Sequence, residues 1–76
     1  MKLYFENSYG KRRLIAEVEK QTDVGLEIHK FIDKCNEGRP DDKKFKSYYC
    51  RSWENENHEI VYDVGSWSEF FFLVGE

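Results

Sequence analysis

The stretch 65-GSWSEFFFLVGE-76 decides the architecture, because residues 70–74 run Phe-Phe-Phe-Leu-Val without a polar break. Successive side chains of a strand point to opposite faces of its sheet. Phe70 and Phe72 therefore share one face, and Phe71 and Leu73 share the other. What covers each face depends on the elements that precede this strand.

Working back from it, HEIVYDVG (residues 58–65) sets Ile60, Tyr62 and Val64 opposite Val61 and Asp63, the period-2 pattern of a strand. A turn around Gly65 and Ser66 joins it to the Phe strand. FKSYYCRSW (45–53) alternates in the same way, and ENENHE (54–59) supplies two Asn for a hairpin turn. At the other end KLYFE (2–6) and KRRLIAEVEK (11–20) read as two strands around the turn residues Asn7, Ser8 and Gly10.

Between these halves the period changes. Val24, Ile28, Phe31, Ile32 and Cys35 fall at helical spacing, with Thr22 or Asp23 placed as cap and Lys30 and Lys34 near the negative end of the helix dipole. Asn36, Gly38 and Pro40 stop a helix of about 14 residues. The expectation is one α+β domain over residues 1–76, ββαβββ, with a single helix on a mostly antiparallel five-stranded sheet.

One helix covers only one face of such a sheet, so the other must meet water or a partner. The sequence nominates Trp53, Tyr62, Trp67, Phe71 and Leu73 as anchors of a protein interface. Charge separation supports that choice: residues 1–51 hold all 12 Lys and Arg, whereas residues 52–76 hold none. Of the six acids in the second segment, Glu54, Glu56, Glu59, Asp63 and Glu69 are the expected steering charges toward a basic protein surface.

Composition bounds the rest. A chain of 76 residues buries only about 60% of the surface it exposes when unfolded, and here aromatic rings supply much of the apolar area. The beginning MKLYFENSYGKRR has no apolar stretch suited to a signal peptide, and FFFLV is far short of the ~20 residues of a membrane span. With two cysteines, Cys35 and Cys50, a reducing cytoplasm is the expected compartment.

Catalytic signatures are missing: no Gly-rich elbow surrounds a Ser or Cys, and no GxxxxGK[ST] or GxGxxG stretch offers a phosphate cradle. A non-catalytic protein is expected, with no cofactor required. Zinc is the one metal worth naming, with His29, Asp33, Cys50 and His58 as candidate ligands and Cys35 in reserve. No CxxC or HxxxH pair fixes a local chelate, and Cys35 on an apolar helical stripe reads first as a buried thiol. A nucleic-acid module using Tyr48, Tyr49, Arg51 and the YGKRR cations is an alternative, opposed by the acidic segment beside those rings. A homodimer through the Phe face is another.

Four stretches, NSYGKRRLIAEV, EIHKFIDKCN, FKSYYCRSW and YDVGSWSEFFF, together resemble a family of small proteins encoded by phages and prophages of Gram-positive bacteria. The chain is also similar in size and acidity to type II-A anti-CRISPR proteins. That resemblance implies an inhibitor that binds a host defence protein, a CRISPR effector nuclease of the Cas9 type, and blocks loading or binding of target DNA. It also implies zinc as a constituent of at least one inhibitor class.

Overall fold

Two turns of the same design start the sheet. In the first, the Asn7 side-chain oxygen accepts the N–H groups of Tyr9 and Lys11 (2.9 and 3.0 Å), and the Asn7 N–H donates to the Lys11 carbonyl (3.0 Å). In the second, the Asn55 oxygen accepts Asn57 and Glu59 N–H (3.0 and 2.9 Å), and the Asn55 N–H donates to the Glu59 carbonyl (2.9 Å). Each Asn holds its own backbone in a turn, as short polar side chains do. The fourth residue of each is left-handed: Gly10 at φ +78° in one, His58 at φ +61° in the other.

The structure, a computed structural model, describes residues 1–65 and 69–75. Its strands are β1 (Lys2–Glu6), β2 (Arg12–Glu17), β3 (Arg51–Glu54), β4 (Ile60–Asp63) and β5 (Phe70–Val74), with helix α1 (Val24–Asn36) between β2 and β3. All neighbours pair antiparallel in the order β2-β1-β5-β4-β3. The expected α+β architecture and element order are therefore present. No helix among the described residues is long and apolar enough to cross a membrane.

The register settles which Phe face lies under the helix. Leu3, Leu73 and Ile60 form one cross-strand row, and Phe5, Phe71 and Tyr62 form the next. On these rows α1 lays Val24, Ile28 and Ile32, its i, i+4, i+8 stripe, all buried. Phe71 is fully buried at the centre of a ring cluster, with centroids 5.3 Å from Phe5 and 5.7 Å from Phe31. Such pairs contribute about 0.5–1.5 kcal/mol each beyond the area they bury.

Phe45 joins this cluster from the loop after the helix. Asn36 fixes it there: its amide donates to the Phe45 carbonyl (2.8 Å) and its oxygen accepts the Phe45 N–H (2.7 Å), so one side chain stands in for a strand neighbour. The helix thus ends on a residue that both stops it and clamps the returning chain.

On the helix-free face a second row runs Leu14, Tyr4, Phe72, Val61, Trp53. Its centre is closed although no helix lies over it. The Arg12 guanidinium crosses the sheet 3.8 Å above the Phe72 ring, donates to both oxygens of Glu59 (2.6 and 3.1 Å), and reaches Glu6 through Nε at 3.2 Å. Phe72 is only 8% exposed, so Arg12 covers the outward Phe from within the chain.

These facts correct three nominated anchors. Tyr62, Phe71 and Leu73 are core residues, 7%, 0% and 1% exposed. The reason is phase: β5 must align with Leu3 and Phe5 of β1, and that alignment turns Phe71 and Leu73 inward and Phe70 and Phe72 outward. A homodimer through Phe71 has no exposed ring to use.

Candidate protein-binding edge

At the β3 end of the sheet three large rings stand in solvent: Tyr48 (72% exposed), Tyr49 (50%) and Trp53 (43%). Trp53 is placed by its pairing with Val61, and the two tyrosines by the backbone of Gly65. Its φ of +97° turns the chain after β4, and a Cβ there would lie 3.2 Å from Tyr48 Cβ and 3.3 Å from Tyr49 Cε2. Beside it the Tyr48 N–H donates to the Val64 carbonyl at 2.9 Å. A glycine is needed both for that φ and for this close approach.

Arg51 lies between the rings. Its Cζ is 5.6 Å from the Tyr49 centroid and 5.8 Å from that of Trp53. Nε and Nη2 both donate to Asp63 Oδ2 (3.2 and 3.1 Å), the carboxylate directly across the β3–β4 ladder. Asp63 is itself buried, and its other oxygen accepts the Gly65 N–H at 2.9 Å. The exposed guanidinium is thereby held in one position by a buried base. Partial desolvation and the nearby Asp63 carboxylate push the thiol of the exposed Cys50 above its usual value.

The acidic residues divide. Glu54, which follows Trp53 on β3, and Glu56, in the β3–β4 turn, are both exposed, and Glu54 Oε2 lies 3.1 Å from His58 Nδ1. Glu59 is no steering charge, since its carboxylate is paired with the Arg12 guanidinium; hydrogen bonds from Arg12 and Asn55 also hold its carboxyl below the ordinary carboxylate range. Asp63 is likewise neutralised inside the fold by Arg51. Both corrections have one cause: cations from the basic half of the sequence fold onto acids of the other half. Glu69 is half-buried, and Trp67 lies outside the described residues.

The zinc candidates are not assembled. His29 and Asp33 are exposed on α1, Cys50 is at the β3 end, and His58 is in the β3–β4 turn beside Glu54. Cys35 is half-buried on α1. Among the described residues no three His, Cys, Asp or Glu side chains come together as a metal group.

Tyr49 and Arg51 are the residues nominated only for nucleic acid that the fold joins to Trp53. Their signal was present as Tyr49, Arg51 and Trp53 at i, i+2, i+4, one face of an extended chain. Of the YGKRR cations, Lys11 and Arg13 lie instead toward β2, four strand spacings away, or about 19 Å, while the Arg12 guanidinium reaches across Phe72 and is paired with Glu59. No family model matches the chain, and no curated protein or solved structure matches it.

Proposed function

We propose that the chain is a non-catalytic binding protein that docks on a protein partner through the Tyr48–Tyr49–Arg51–Trp53 edge. The observation that carries this reading is the Arg51 guanidinium, flanked by two half-exposed rings and fixed by buried Asp63. Trp, Tyr and Arg are the types that dominate interface energetics, and a side chain already held in place loses less entropy on binding. Glu54 and Glu56 at its border orient approach toward a basic surface.

The resemblance to phage-encoded inhibitors supplies the partner: a host defence protein, and foremost a CRISPR effector nuclease. Such an enzyme holds its guide and target in a positively charged channel and rearranges to load DNA. A domain seated at that channel with its rings and carboxylates blocks loading without any chemistry of its own.

Co-purification with the effector followed by a DNA-cleavage assay tests the proposal. Cleavage should stop at saturating protein and resume with a Tyr49→Ala/Trp53→Ala variant. Undiminished cleavage with the wild type removes the inhibitor assignment. A second reading, single-stranded nucleic acid stacked on Tyr49 and Trp53 with phosphate on Arg51, has the same rings in its favour. It requires a measurable salt-dependent shift of an oligonucleotide.

A further inference from the structure

A second surface lies at the opposite end of the sheet. β2 is an edge strand, so alternate N–H and C=O groups along it face outward without a ladder partner. Beside it runs a groove of about 640 Å³ lined by three consecutive residues, Arg13, Leu14 and Ile15. A groove over a sheet face would be lined by every second residue. Ile15 is the bulged residue of β2, skipped where Leu3 pairs with Ala16 and Tyr4 with Leu14, and this break in alternation brings all three side chains to a groove beside the strand's edge.

Its other wall is one face of α1, with Lys30, Phe31 and Lys34 at helical spacing. Phe31 and Ile15 are half-buried and form an apolar floor. Arg13, Lys30 and Lys34 bring three positive charges, against the single carboxylate of Glu27, 3.5 Å from Lys30. An open strand edge beside a helix, with a basic rim over an apolar floor, is suited to an added strand that supplies backbone bonds and side chains to alternate pockets.

The geometry points to this groove as a docking site for an extended acidic peptide segment that pairs with β2. The segment places one apolar side chain on Phe31 and Ile15 and Asp or Glu two residues to either side, facing Arg13 and Lys34. A second copy is the weaker occupant, because edge-to-edge pairing of two β2 strands sets one basic wall against another. A nucleic acid would satisfy the cations but not the strand's backbone groups.

Selection of a displayed random heptapeptide library on the full chain, against an Arg13→Glu/Lys34→Glu variant, tests this. Enriched peptides should carry acids at alternate positions around an apolar residue. A synthetic copy should shift the amides of residues 12–17 and 27–35 and bind the double variant about tenfold more weakly or worse. Both substituted side chains are exposed, and circular dichroism checks that the variant folds. Trp53→Ala should leave peptide binding unchanged, which separates this site from the β3 edge. The inference is overturned if no peptide is enriched over the variant or the enriched peptides lack acids. It is equally overturned if the shifts map to β3, if a dT10 oligonucleotide or inorganic phosphate takes the site in preference, or if light scattering shows a dimer that the double variant abolishes.

Discussion

Cutting the strap that Arg12 lays across the helix-free face should destabilise the domain in a pH-dependent way. Glu59→Gln keeps the shape of the acceptor but removes its charge. The two side chains are 34% and 13% exposed, so the pair lies between a surface ion pair, worth under about 1 kcal/mol, and a buried one, whose breakage costs about 3–5 kcal/mol. Two N–H···O bonds at 2.6 and 3.1 Å favour the middle of that range, about 1–2 kcal/mol for Glu59→Gln at pH 7. Arg12→Ala also strips the cation from Phe72 and uncovers its ring, adding a further ~1 kcal/mol.

The sign with pH follows from the direction of the Glu59 shift. A carboxyl held below its ordinary value contributes stability that is complete above its unfolded pKa, near ~4.3, and is lost as pH falls through the lower folded value. The wild-type advantage over Glu59→Gln should therefore be flat from pH 7 to 5 and narrow below about pH 4. Urea titrations followed by circular dichroism at several pH values measure it. Equal midpoints at pH 7, or a gap that does not narrow in acid, would refute the strap.

Three further outcomes follow from the packing. Phe71→Ala removes a fully buried ring and should cost about 3–5 kcal/mol, enough to unfold most of so small a domain, as thermal melts would report. His58→Gly places glycine at φ +61°, where Gly10 already serves the equivalent turn, and should raise stability by a few tenths to about 1 kcal/mol in urea titrations. Gly65→Ala adds a Cβ at φ +97° against Tyr48 and should cost about 1–2 kcal/mol while shifting the Tyr48 and Tyr49 amide resonances.

Local signals were legible in the sequence where the physics is local. Asn7 and Asn55 wrote both hairpins, and the Val24–Ile28–Ile32 spacing placed the helix stripe. FKSYYCRSW reads as one strand, yet only Arg51–Glu54 pairs, because β4 has four residues and turns away at Gly65. Beyond that point the Tyr48 N–H bonds the Val64 carbonyl and the Asn36 side chain clamps Phe45, which hold the segment without a ladder. The phase of β5 was illegible for a simple reason: both of its faces are apolar, so only the register with Leu3 and Phe5 separates them. The roles of Glu59 and Asp63 were hidden because each depends on a cation elsewhere in the chain, 47 residues away for Arg12 and Glu59. Charge counted along a sequence overstates what a fold leaves exposed.

The central claim is that the β3 edge binds a host protein. Quantitative mass spectrometry of proteins captured from host lysate, wild type against Tyr49→Ala/Trp53→Ala, tests it most directly, with matched melting curves confirming that the variant folds. The account predicts one dominant host protein, an RNA-guided nuclease, retained by the wild type and reduced at least about tenfold by the variant. The same proteins captured in equal amounts by both would contradict it.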